Sequence, residues 1–292
     1  MDSDKISEPS GEATSTVLRH IETTNSVFLP ISRAEFEKLY LNPKTSHKGQ
    51  LHKTFGNPTP IALMGFLIAA LPMSCIQMGW RGAGGNGGAI LPVYIIFGGF
   101  LQYLGAIGEW IIGNTYPCAL FFTYGSFWLV NGASLMPFFG VGTNYSPTGN
   151  SLEGQTTPMF YSTVAFFYVF LGVLTFIYTI CALRTNLCLL VGLFMLVIDV
   201  GFFCGVYFHL ALGHDALAAK LQIAAGALTF VLCIPVSYLF VTQILDAVDF
   251  PIALPVGELG TAILGKSERA QRQARKVQQD LPYDLTAQET PV

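Results

Sequence analysis

Asn57-Pro58-Thr59-Pro60-Ile61-Ala62-Leu63-Met64-Gly65-Phe66-Leu67-Ile68-Ala69-Ala70-Leu71-Pro72-Met73-Ser74-Cys75-Ile76-Gln77-Met78-Gly79-Trp80 decides the fold. After the Asn-Pro-Thr-Pro opening, about twenty residues run without a charge, the length a helix needs to cross a bilayer's hydrocarbon core. Asn57 suits the cap of such a helix. Pro58 suits its first position, where the N–H it lacks has no partner anyway. A helix start presents free N–H groups and about half a positive charge, so one that faces a wet cavity inside the protein attracts an anion.

Working outward, five more apolar runs follow at about 90–112, 116–137, 158–183, 187–212 and 217–243, each bounded by Gly, Pro or polar residues. The chain is 52% hydrophobic and only 11% charged, against roughly 25% charged in soluble domains. The predicted fold class is therefore all-α, a polytopic membrane protein of six transmembrane helices. Residues 1–56 read as a largely disordered tail with a short helix at Ser32–Tyr40, where Ser32 and Glu35 have capping-box spacing. Residues 57–245 form the membrane domain and 246–292 a second tail, proline-broken at first and then a charged helix from Ser267 to Gln279. Lys44, Lys48, Lys53, Arg184 and the basic residues of 266–276 fall on one side, and only Arg81 and Lys220 on the other, which puts both tails in the cytoplasm. The loop 138–157, with a sequon at Asn144, then faces outward.

Several function classes drop out. A net charge of −3 lacks the basic footprint that nucleic acid requires. The six cysteines lie in apolar stretches without Cys-x-x-Cys spacing or paired histidines, so they read as small buried hydrophobes, and neither metal nor cofactor is expected. Arg81-Gly-Ala-Gly-Gly-Asn-Gly-Gly lacks the lysine and Ser/Thr of a phosphate loop and reads as a turn. No nucleophile elbow, histidine cluster or paired-carboxylate motif suggests an enzyme.

Polar groups inside spans are costly and become the candidates for function. Gln102 and Glu109 lie on the second span, with Asn114 just beyond. They form either a strip along a pathway or a set of interfacial caps. Asp199 falls in the middle of the fifth span, where it must be neutral, paired or next to water. His209 lies about 15 Å further along the same helix, too far to be its direct partner, and reads as a hydrogen-bonded histidine. Tyr124 and Trp128 belong to an aromatic crowd on the third span, and Gly98-Gly99, Gly105, Gly108 and Gly201-x-x-x-Gly205 permit close helix approach.

Asn57-Pro58-Thr59-Pro60-Ile61-Ala62-Leu63 resembles the Asn-Pro-Ala-Pro-Leu-Gly-Leu signature of the acetate uptake transporter family, which includes succinate-acetate permeases and fungal acetate permeases. Phe97-Gly98-Gly99-Phe100-Leu101-Gln102, Glu109, Gly113-Asn114-Thr115-Tyr116 and Tyr124-Gly125-Ser126-Phe127-Trp128 follow in that family's order, and Phe250–Gly257 is similar to the ending of its fungal members. The resemblance implies a six-helix protomer around a narrow pathway, a hexameric homo-oligomer and a plasma-membrane location. It implies a constriction at Phe66, Tyr124 and Leu196. It also implies donors to the substrate at the N–H groups of the Asn57–Thr59 helix start, at Asn57 itself, at Gln102 and at the Tyr124 hydroxyl, with Pro58, Thr59, Glu109, Asn114 and Trp128 along the pathway. An apolar ring between such donors excludes bulk water and hydrated ions while passing a compact acid. Thr59, Ile61-Ala62 and Phe97 depart from the family's Ala, Leu-Gly and Tyr.

The reading is a membrane transporter or channel for small carboxylic acids, acetate or a related monocarboxylate, moving as the acid or with a proton. Asp199, one turn from Leu196 and on its face, is the residue expected to titrate. A carboxylate sensor or scaffold without transport is the competing class.

Overall fold

The computed structural model describes residues 55–260 and 265–280. The helix read at Ser32–Tyr40 and the basic residues Lys44, Lys48 and Lys53 lie outside them. Among the described residues the chain is helical, with an isolated antiparallel bridge between Asn186 and Glu258.

The long helices are α1 (Thr59–Gln77), α2 (residues 91–111), α3 (Thr115–Leu135), α4 (Pro158–Ala182), α5 (Leu187–Ala211) and α6 (Asp215–Ala247), followed by a polar α7 (Lys266–Asp280). Five of the helices are long and apolar enough to cross a membrane. α3 is the exception. Its 21 residues reach about 31 Å, but Tyr116, Thr123, Tyr124, Ser126 and Asn131 dilute its apolar character. That polarity is tolerable because α3 packs inside, on α1 and α2. α2 runs through a stretch of wide π-type turns at Tyr94–Leu101, a local form that recurs at functional sites.

α1 starts one residue later than the sequence suggests. Pro58 is the cap, Thr59 the first helical residue, and Asn57 bonds the Thr59 N–H through Oδ1 at 3.1 Å. α1 and α6 run antiparallel: Asn57 Nδ2 donates to Gln243 Oε1 at 3.3 Å at one end, while Gly226 lies against Ser74 and Gln77 at the other. α4, α5 and α6 pack in sequence, α1, α2 and α3 form a second group, and the two groups meet along α1 and α6. Two glycines set the α1–α2 spacing. A Cβ on Gly105 would stand 2.5 Å from the Ala62 Cβ, and one on Gly65 would strike the Phe97 carbonyl.

After α6 the chain folds back across the end of the bundle that holds Asn57 and the α4–α5 turn. Tyr238 donates its hydroxyl to the Pro255 carbonyl at 2.8 Å, Leu187 N–H to the Gly257 carbonyl at 2.7 Å, and Leu259 N–H to the Thr185 carbonyl at 3.0 Å. Val256, 3% exposed, is thereby pressed into the core. The outward faces of α2, α4 and α5 carry Ile96, Phe100, Trp110, Phe170, Phe176 and Phe194, all exposed, as lipid-facing surfaces require. Cys181 is exposed among them rather than interior. A thiol is apolar enough for that face.

Candidate functional site

Two small cavities lie inside the bundle. The chamber nearer the tails, about 60 Å³, is lined by Leu63 of α1, Gln102 of α2, Leu120 of α3, Leu189 and Leu193 of α5 and Val236 of α6. A central chamber of about 40 Å³ is lined by Met73, Phe127, Trp128, Tyr168, Asp199 and Thr229 among others. A cavity needs roughly 10–15 Å³ to hold one water, so each chamber takes a few waters or one very small solute.

Phe66, Tyr124, Leu196 and Leu232 line both chambers. They come from α1, α3, α5 and α6 and form the apolar partition between the two cavities. Three of the four are the residues read as a constriction. Leu232, 1% exposed, was missed, because nothing marks one leucine among the many of an apolar span. Tyr124 is not free to meet a solute with its hydroxyl, which donates to Thr175 Oγ1 at 3.1 Å, while Thr175 donates to the Leu171 carbonyl at 2.8 Å. In this structure the hydroxyl read as a donor to the substrate is thus engaged within the bundle, and Tyr124 lines both chambers.

The helix start at Asn57 also differs from its reading. Pro58 and Pro60 have no N–H, Thr59 N–H is taken by Asn57, and Ile61 N–H bonds the Pro58 carbonyl at 3.1 Å. No amide of residues 58–61 is left for an anion. Beside this start, Glu109 is 0% exposed. Thr59 Oγ1 donates to its Oε1, Asn114 Nδ2 donates to its Oε2 at 2.6 Å, and Asn114 N–H donates to its backbone carbonyl at 2.8 Å. Asn57, Pro58, Thr59, Glu109 and Asn114 are thus brought together as a knot tying α1 to the α2–α3 turn, and none of them is among the residues lining the two chambers. A buried carboxylate with two donors at hand is a satisfied one. Gln102 does line the tail-side chamber, although its Nε2 is engaged by the Gly98 carbonyl at 2.7 Å.

Two polar atoms of the central chamber's wall residues are unengaged. Asp199, 3% exposed, accepts from Thr229 Oγ1 through Oδ2 at 2.8 Å, while its Oδ1 has no hydrogen-bond partner. Trp128, 2% exposed and stacked on Tyr94 at 5.3 Å, has an unpartnered Nε1. Asp199 and Leu196 share one face of α5, as their spacing required. Thr229 was not foreseen. His209 stands at the far end of α5, its Nδ1 3.3 Å from that of His214.

A family model described as the GPR1/FUN34/yaaH family matches residues 39–261. Protein alcS of Aspergillus fumigatus is 42% identical over 238 residues, 81% of this chain and 88% of that protein. Acetate permease A of Emericella nidulans is 27% identical over 191 residues, 63% of this chain and 60% of that one. Among solved structures, that of the bacterial acetate channel SatP superposes with a TM-score of 0.53 at 24% identity, covering 70% of this chain and 99% of the channel.

Proposed function

Because the chain belongs to the GPR1/FUN34/yaaH family, we propose that it conducts small monocarboxylic acids, acetate or a near relative, across a membrane. The observation that carries this reading is the pair of neighbouring chambers that share Phe66, Tyr124, Leu196 and Leu232 as walls. A solute that passes must be compact and must shed most of its water at an apolar ring, which a two-carbon acid does more readily than a hydrated ion. The walls agree with this. Among the residues lining either chamber there is no Lys, Arg or His, so a bare anion finds no counter-charge on its way. Proton-linked movement follows from the same walls.

In this reading α3 is the sixth span, both tails lie in the cytoplasm, and the protein works as a homo-oligomer in the plasma membrane. The exposed apolar faces of α2 and α4 support burial against lipid or a neighbouring copy.

The test is uptake of radiolabelled acetate by the purified chain in liposomes, compared with protein-free liposomes. Wild type should exceed the protein-free rate, and Leu196→Trp, which fills the partition, should lose most of that excess. Uptake no faster than through lipid alone, or undiminished by Leu196→Trp, would contradict the reading.

A further inference from the structure

The central chamber has one acidic side chain, Asp199, and its geometry is specific. Thr229 Oγ1 donates to Asp199 Oδ2 at 2.8 Å, which holds the carboxyl group in one orientation and leaves Oδ1 buried without a partner. Both residues line the chamber, as does Trp128, whose Nε1 is likewise buried and unpartnered. The other titratable groups facing Asp199 are neutral in kind. Tyr168 of α4 stacks on Tyr207 at 5.3 Å, Tyr124 of α3 donates to Thr175, and Cys233 of α6 is a buried thiol. The remaining walls are apolar, with Phe66, Phe127, Leu171 and Phe203 among them.

An unfilled carboxylate oxygen is satisfied by a solute that brings a hydrogen. An undissociated carboxylic acid brings one on its hydroxyl, and its carbonyl oxygen accepts from a donor such as an indole N–H. A carboxylate anion brings acceptors only, and the ionised form of Asp199 repels it as a like charge. We propose that Asp199, positioned by Thr229, determines which form of the substrate the pathway admits, selecting the undissociated acid over its anion. The proposal rests on the carboxylic-acid reading above and adds the species that moves. No bond is made or broken: the acid enters and leaves with its own proton, and the flux carries no charge.

Replacing Asp199 by Asn reverses the chemistry, because a carboxamide offers N–H donors and no charge. Thr229→Val removes the hydroxyl that orients the carboxyl group at nearly constant shape, and Thr229→Ser keeps it. The experiment uses the full-length protein in liposomes with an imposed potassium diffusion potential, measuring labelled acetate uptake and acetate-dependent current over a pH series, with protein-free liposomes subtracted. For wild type, uptake should follow the concentration of undissociated acid and ignore the potential. Asp199→Asn should become potential-sensitive and follow the anion, with acid-dependent uptake falling roughly tenfold for the lost charged hydrogen bond. Thr229→Val should shift the pH profile in the same sense, and Thr229→Ser should restore it. Should Asp199→Asn fail to fold, the wild-type and Thr229 arms still decide. Wild-type flux that follows the anion and the potential overturns the proposal but leaves acetate transport standing, as does a Thr229→Val profile identical to wild type. A wild type that carries methylammonium and no acetate overturns both, and assigns Asp199 to a cation.

Discussion

At the scale of single residues, burial and hydrogen bonding separate two carboxylates that look alike in the sequence. Glu109 is fully enclosed and has both oxygens engaged by Thr59 and Asn114, whereas Asp199 keeps one oxygen unengaged beside a cavity. Glu109→Gln sets an N–H₂ group against one of its two donors. It should lower stability by about 1–3 kcal/mol, read as a drop in thermal midpoint in detergent, without changing which acids are transported. An altered substrate range at unchanged stability would place Glu109 on the pathway. The sequence pointed to Phe66, Tyr124 and Leu196 through motif position and to Asp199 through the cost of a charge in a span. It misplaced the Asn57 helix start, because two prolines and a neighbouring carboxamide use up the amides that the motif suggested were free. Thr229 and Leu232 stayed hidden because a threonine or leucine in an apolar span carries no signal until its partner across the bundle is known.

At the scale of elements, length and apolarity made most of the helices legible, and α3 shows where that signal fades. Of the polar residues that weaken it as a span, Tyr124 lines both chambers, beside Phe127 and Trp128 in one and Leu120 and Phe121 in the other. Spacing between α1 and α2 was legible only as a density of glycines. Gly105→Ala puts a methyl group against the Ala62 backbone, with its Cβ 3.1 Å from the Ala62 nitrogen. It should cost about 1–3 kcal/mol by overpacking, measured as thermal stability. A variant as stable as wild type would mean that α1 and α2 are further apart than described. The fold-back of residues 250–260 had no periodicity to announce it, since its bonds run to carbonyls and amides of the α4–α5 turn and to the Tyr238 hydroxyl. Val256→Asp should release this segment and make it a site of rapid limited proteolysis, and equal protease resistance in the two proteins would show that Val256 does not anchor it. The ion pair between Arg184 and Glu268, at 3.6 Å and part-exposed, is worth at most about 1 kcal/mol and does not hold the tail by itself.

At the scale of the whole molecule, two groups of three helices meet along α1 and α6, and the chambers lie where the packing of the groups leaves space around Phe66, Tyr124, Leu196 and Leu232. The register between helices, which decides that these side chains face one another, arises from side-chain fit over residues far apart in sequence. For that reason composition and periodicity gave the helices but not the cavities. The account depends on a single partition of fixed width through which every substrate passes. The most direct test is the substrate range of Phe66→Ala in liposomes. The account predicts that lactate and succinate, slow through wild type, are taken up faster through the variant while the protein stays folded and still carries acetate. A folded variant that transports acetate with an unaltered range of acids would show that the path does not run past Phe66.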